Sequence, residues 1–141
     1  MIKIYPATFN GILKAPSAGA HAQRLLFMAA MADAPTLVRN VPDSEDIDAA
    51  IGCLKALGCT VTRTGSSCSI EPFPKNIPVQ TARFDFRQCA TSSRIAIALS
   101  AALGIKAECR ASGSLPKRNH FPLTSRMALR GVIFSRFSLP F

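Results

Sequence analysis

The tripeptide Ala-Leu-Gly stands twice in this chain, at residues 56–58 and 102–104, and each copy closes an apolar helical stretch and opens a strand-like one. A glycine just past a helix end stops the helix, because it enters the left-handed region that other residues avoid. The two copies lie 46 residues apart. A chain of 141 residues that repeats strand, helix and strand at such a spacing is constrained to an α/β (α+β) domain built from related units.

The segments around these copies fill in the pattern. Residues 2–5 (IKIY) and 11–14 (GILK) read as short entry strands of a lead-in hairpin, separated by Pro6 and the turn pair Asn10-Gly11. An apolar helix is expected over residues 20–32, ending at Asp33-Ala34-Pro35 because proline forbids continuation. Residues 36–41 (TLVRNV) are β-branched enough for a strand. Pro42-Asp43-Ser44-Glu45-Asp46 is the clearest helix start in the chain, with Asp43 or Ser44 as the cap and acids in the first turn. Ile47, Ala50, Ile51, Leu54 and Leu57 follow at helical spacing. Residues 60–63 and 68–71 flank Thr64-Gly65-Ser66 as a hairpin, and residues 72–80, with three prolines, form a connector. The second round is expected as strand 82–86, turn 87–90, helix 91–103 and strand 105–110, the helix apolar almost all round and therefore buried. A polar loop follows at 111–118, then a short helix at 123–130, a strand at 132–134 and a tail, SRFSLPF, with no partner in the pattern.

Charge narrows the function classes. The net charge of +9 lies wholly in the second half: residues 1–72 carry six Lys/Arg and six Asp/Glu, residues 73–141 eleven and two. That asymmetry predicts an anionic partner, whether nucleic acid, a phosphorylated small molecule or an acidic protein surface. Single-stranded nucleic acid fits poorly, since the chain has no Trp and one Tyr and its Phe residues are not interleaved with cations as a stacking platform requires. Five cysteines in irregular spacing show no metal-ligand pattern and point to reduced thiols in a cytoplasmic protein. No apolar run reaches the roughly 18 residues of a membrane span. Residues 25–34 lie too far from the first residue to read as a secretory core.

Three loops concentrate the candidate chemistry. Residues 16–24 (PSAGAHAQR) bring small residues to a helix start, where Gly19 lets a ligand approach the backbone and Arg24 adds a fork of donors one turn on. Residues 85–94 end on Arg94, and residues 112–118 end on Lys117-Arg118. If the two units share a sheet, their helix starts can face the same side and Arg24, Arg94 and Arg118 can converge on one polyanion; taken singly, each arginine is an ordinary solvated residue. His21 and His120 read as partly exposed loop imidazoles without a carboxylate beside them. Cys89 is either a thiol activated by the helix start and Arg87 or a small filler. Paired carboxylates, a Ser/His/Asp order and a GxxxxGK[ST] loop are all missing from the sequence. Composition and spacing thus give a domain that binds a small anion, and no reaction.

The loops taken together resemble the first part of an EPSP synthase (3-phosphoshikimate 1-carboxyvinyltransferase). Pro16-Ser17-Ala18-Gly19-Ala20-His21-Ala22-Gln23-Arg24 is similar to the family's P-G/S-S-K-S-x-S/A-N/H-R before an apolar helix. Asn40-Val41-Pro42-Asp43-Ser44-Glu45-Asp46-Ile47 resembles N-x-x-x-S-D-D-[IVT], and Asp85-Phe86-Arg87-Gln88-Cys89-Ala90-Thr91-Ser92-Ser93-Arg94 resembles D-C-G-E/N-S/A-G-T/S-x-x-R. Gly113-Ser114-Leu115-Pro116-Lys117-Arg118 is close to G-x-x-L-P-x-R-P. The resemblance implies an enolpyruvyl transferase of the pathway to aromatic amino acids, which moves the enolpyruvyl group of phosphoenolpyruvate to the 5-hydroxyl of shikimate 3-phosphate and releases phosphate, without a cofactor or metal. It implies an inside-out α/β barrel of βαβαββ units, of which this chain supplies the entry strands (1–15) and about two units of the first domain (16–134). Residues 135–141 are then a truncated or frameshifted tail, and the second domain is absent or separately encoded. Carried over, Gly19, Ala20 and Arg24 meet shikimate 3-phosphate; Gly19, Ala90, Thr91 and Arg118 meet phosphoenolpyruvate; and Arg94 supports the turn.

The departures carry their own expectation. The family's bridging lysine falls on Gly19 and its serine on Ala20, so an ammonium between two anions is lost, worth on the order of several kcal/mol. The family's glycine falls on Ala90, the proline after Arg118 is Asn119, and Phe86, Arg87, Gln88 and Cys89 replace small or acidic residues. The chain alone is therefore expected to be inactive. Two other readings remain open at this point: a basic anion- or nucleic-acid-binding module that kept the fold, and a relative of the enolpyruvyl transferase acting on UDP-N-acetylglucosamine, which the Leu115-Pro116-Lys117-Arg118 loop fits less well.

Overall fold

The computed structural model describes residues 2–3, 5–8, 10–74 and 81–117. The elements run α1 (Gly19–Ala30), β1 (Thr36–Val38), α2 (Glu45–Ala56), β2 (Val61–Thr64), β3 (Ser67–Ile70), β4 (Thr81–Asp85), α3 (Ala90–Ala102) and β5 (Lys106–Arg110), followed by a 3-10 turn at Leu115–Lys117. The helix and strand expected over 123–130 and 132–134, the tail, His120 and Arg118 lie outside the described residues.

Local signals explain most of these boundaries. Ser44 caps α2 by accepting from the Ile47 N–H at 3.4 Å, and Glu45, Asp46 and Asp48 place negative charge on the first turn, where the helix dipole favours it. Leu57 and Leu103 hold the C-cap positions of α2 and α3, and Gly58 and Gly104 follow at φ 92° and 68°, so both Ala-Leu-Gly copies end helices for the same reason. The β2–β3 hairpin turns on Gly65 at φ 57°. Arg63 straps this hairpin to the start of α2 through Asp43 at 3.2 Å, Asp48 at 3.4 Å and the Pro42 carbonyl at 3.1 Å.

Each helix turns one face into a shared core and leaves another exposed. β1, β3 and β2 make an antiparallel sheet in that order, and β4 pairs in parallel with β5. The first sheet packs on α1 and α2, the second on α2 and α3, and the three helices pack on one another. Each strand is wet on one face: β4 alternates exposed and buried, with Ala82 and Phe84 inward. Parallel strands are commonly covered on both faces, but here the outer face of β4 and β5 is charged instead, with Thr81 opposite Lys106, Arg83 opposite Glu108 and Asp85 opposite Arg110. Arg83 Nε donates to Glu108 at 2.9 Å across that face. Inside, Leu26, Phe27, Ile47, Leu54, Phe84 and Phe86 are almost wholly buried, each contributing about 1.5–3 kcal/mol of apolar transfer.

Four expectations need correction. Among the described residues before α1 there is no strand: Ile2, Tyr5, Ile12 and Leu13 stand 92%, 74%, 104% and 91% exposed, and a lone hairpin without an apolar partner gains too little to form. β1 stops at Val38 because Asn40 takes φ 58°, and Val41 turns away to donate to the Ser66 carbonyl at 2.8 Å. α3 is not buried all round; Arg94, Ala98 and Ala102 form an exposed stripe. The 46-residue spacing matches helix ends but not topology, since β3 lies between β1 and β2 whereas β4 and β5 pair directly. The closer correspondence is between α1 and α3. Ala22, Gln23, Leu26, Phe27, Ala29 and Ala30 are buried in α1; Ser92, Ser93, Ala96, Ile97, Leu99 and Ser100 are buried in α3 at the same phase.

Candidate functional site

The two corresponding helices bring their N-terminal ends together. In α1 the His21 and Ala22 N–H groups donate to the Ala18 carbonyl at 3.1 and 3.0 Å, which leaves the Gly19 and Ala20 N–H groups without an acceptor among the described residues. In α3 the Ser92 N–H is taken by Cys89 Sγ at 3.4 Å and the Ser93 N–H by the Cys89 carbonyl at 3.3 Å, leaving Ala90 and Thr91 in the same condition. Helix starts of this kind present partial positive charge to an anion. Neither α1 nor α3 has an acidic residue in its first turn, in contrast to α2 with three.

Cations reinforce rather than offset these ends. Arg24 is exposed and folds back along its own helix, Nη1 donating to the Ala20 carbonyl at 2.9 Å, so its guanidinium lies over the first turn of α1. Arg94 stands exposed at the matching phase of α3. A cation beside a helix N-terminus is unfavourable by itself and becomes favourable when an anion sits between them. His21 is exposed on the same turn, and among the described residues no hydrogen bond or ion pair involves its imidazole, so it has no partner for acid–base work.

A buried polar knot ties the ends to each other. Gln23, 1% exposed, accepts through Oε1 from Cys89 Sγ at 3.3 Å and from Ser92 Oγ at 3.4 Å. Cys89 is thus buried as the N-cap of α3 and a donor to α1, a bonded member of the interior and not a passive filler. Sequence reasoning passed over Gln23 and Ser92. The available signal was a polar residue on the apolar face of α1, between Ala22 and Leu26.

The third loop joins at the carboxyl ends of the parallel strands. The Phe86 N–H donates to the Arg110 carbonyl at 3.0 Å and the Ser112 N–H to the Arg87 carbonyl at 2.7 Å. Gln88 rests on Gly113, which holds φ 60°. Arg87 takes a left-handed φ of 48°, and its N–H is satisfied by Asp85 Oδ1 at 3.0 Å. The loops at 16–24, 85–94 and 112–117 therefore adjoin one another, although the two units lie in separate sheets and not in the shared sheet that the sequence reading assumed; Arg118 lies outside the described residues.

All five thiols are buried and free. Burial pushes Cys53 and Cys59 up to about 12 and Cys109 to about 11, so these three stay protonated at neutral pH. Among the described residues no group of three His, Cys, Asp or Glu could hold a metal ion, and no helix is long and apolar enough to cross a membrane.

A family profile described as EPSP synthase (3-phosphoshikimate 1-carboxyvinyltransferase) matches residues 5–114. The chain is similar to the 3-phosphoshikimate 1-carboxyvinyltransferase of Saccharolobus solfataricus, 29% identical over 140 residues, covering 99% of this chain and 32% of that protein. It is similar to that of Chlamydia caviae, 27% identical over 143 residues with the same coverage of both. EPSP synthase from Acinetobacter baumannii shares the fold, with a TM-score of 0.60 and 21% identity over 77% of this chain and 25% of that one. The chain spans about a third of the length of the curated relatives it matches.

Proposed function

From the premise that this chain belongs to the EPSP synthase family, a family of transferases, we propose that it supplies one wall of a site for shikimate 3-phosphate and phosphoenolpyruvate. The observation that carries the proposal is the pair of helix starts, each with two free N–H groups, an arginine at the matching phase and no acid in the first turn. Gly19, Ala20 and Arg24 form the shikimate 3-phosphate side. Gly19, Ala90 and Thr91 face phosphoenolpyruvate, with Arg94 supporting the turn and Arg118 reaching the same anion.

The chemistry available on this wall is charge neutralisation and positioning. Fixed N–H dipoles and guanidinium groups hold two anions close together, which offsets their mutual repulsion and orients a hydroxyl toward the enolpyruvyl carbon. No described residue of the wall is placed to move a proton. We therefore propose that the chain by itself binds without turning over, and that enolpyruvyl transfer needs the remaining two-thirds of the length its relatives have.

Two measurements on the 141-residue chain test this. Calorimetric titration with shikimate 3-phosphate should show one-site binding that vanishes in Arg24→Ala, and incubation with both substrates should release no phosphate. Absence of binding at low salt refutes the site, and phosphate release above the uncatalysed background refutes the inactivity.

A further inference from the structure

Gln23 is an expensive choice for its position. A primary amide buried on the apolar face of α1 costs free energy unless its polar atoms are bonded, and a leucine or methionine would fill the same space without that requirement. What the amide adds is direction. Its Oε1 accepts from two side chains, Cys89 and Ser92, and both belong to the first turn of α3.

The bonds close on themselves. The Ser92 N–H donates to Cys89 Sγ, the Cys89 thiol donates to Gln23 Oε1, and the Ser92 hydroxyl donates to the same oxygen. Each member polarises the next, and all three residues are at most 2% exposed, so water does not compete for the bonds. Every member is also a sequence neighbour of the wall described above. Gln23 adjoins Arg24, Cys89 adjoins Ala90, and Ser92 adjoins Thr91.

We propose that Gln23 is a positioning residue that fixes the separation of the two helix starts, so that both anion subsites are held in one register through Cys89 and Ser92. The inference rests on the reading of the two helix starts as anion subsites and adds the device that couples them. Gln23 touches neither anion. Without its tie, α1 and α3 remain packed in the one apolar core to which Leu26, Phe27, Ala96 and Ile97 belong, but their N-terminal ends shift independently.

Amide resonances of the 141-residue chain, followed while shikimate 3-phosphate and phosphoenolpyruvate are added together in equal concentration, test this. In the native chain the Gly19, Ala20, Ala90 and Thr91 signals should move along a single isotherm. In Gln23→Met, which keeps the volume and loses the acceptor, the α1 and α3 signals should separate into two isotherms whose midpoints differ by at least about threefold, the scale of one lost hydrogen bond. Gln23→Glu, whose carboxylate accepts both bonds, should restore the single isotherm. Ser92→Ala, which removes one donor and little volume, should split the signals to a smaller extent and serves if Gln23→Met does not fold. A folded Gln23→Met or Ser92→Ala that keeps one native isotherm overturns the role of Gln23 alone. A native chain in which none of the four amides moves overturns the anion wall and this inference with it.

Discussion

Gln88 lies on the backbone of Gly113, in the space that a Cβ on that residue would fill, and so locks the loop after β4 against the loop after β5. Gly113 is also at φ 60°, where any other residue is strained. Gly113→Ala should therefore lower stability by about 1–2 kcal/mol, from the left-handed backbone together with displacement of a flexible side chain. Urea unfolding checks the magnitude. In a Gln88→Ala background the loss should shrink without vanishing, because the backbone strain remains; equal losses in both backgrounds would show that the contact carries no energy.

The same turn stores strain one step earlier. Arg87 occupies a left-handed conformation at φ 48°, supported by Asp85 Oδ1 accepting from its N–H at 3.0 Å. Asp85→Ala should cost about 1 kcal/mol in thermal unfolding, since the N–H loses its acceptor and the turn its brace. When Arg87→Gly is made first, the backbone is at ease without the brace and the cost should fall by about half. An undiminished cost in that background would place the energy of Asp85 elsewhere.

Buried thiols make stability fall on the alkaline side. Cys53, Cys59 and Cys109 are pushed above the ordinary value of 9.0, to about 12, 12 and 11, by desolvation first of all. In the unfolded chain they ionise near 9.0, so below that pH both states hold the same thiol protons and stability is at its full value. Above it only the unfolded state releases them, and each thiol removes about 1.4 kcal/mol per pH unit until its folded value is reached. Urea midpoints taken between pH 8 and pH 10.5 should decline accordingly. Cys53→Ala should reduce the slope by about one proton; an unchanged slope would mean that Cys53 is not protonated by burial.

What the sequence made legible followed the strength of the local signal. The α2 cap at Ser44, the Gly65 hairpin and the two Leu-Gly helix ends are decided within a few residues, and the structure agrees with them. The four motif loops were readable as a resemblance, and the fold sets three of them beside one another. The entry strands were misread because alternating apolar residues at 2–5 and 11–14 describe what a strand could bury, not whether a partner edge is there. The repeat was assigned to the wrong pair of helices since Ala-Leu-Gly marks any α-helix end, whereas the kinship of α1 and α3 shows only in which positions they bury. The Gln23–Cys89–Ser92 knot joins residues up to 69 positions apart, beyond the reach of any local pattern.

In the motif resemblance Gly19 takes the place of the family's lysine, and the structure has room for that side chain. A Cβ built on Gly19 meets nothing within 4 Å, and the backbone is helical rather than left-handed, so Gly19→Lys introduces no clash. In the absence of ligand two effects oppose: lysine is the better helix former by up to about 0.7 kcal/mol, while a cation at the N-terminus is disfavoured by about 0.3–1 kcal/mol. Stability without ligand should therefore change by less than about 0.5 kcal/mol. If shikimate 3-phosphate sits on the Gly19 and Ala20 N–H groups and Arg24 as proposed, the ammonium faces that anion, and a charge-assisted bond of about 1.5–3 kcal/mol should tighten binding roughly ten- to hundredfold. Calorimetry of the native chain and Gly19→Lys, with Gly19→Met as the uncharged control of similar length, isolates the charge. If Gly19→Lys binds no more tightly than Gly19→Met, the anion does not sit over the first turn of α1, and the assignment of that turn to shikimate 3-phosphate falls.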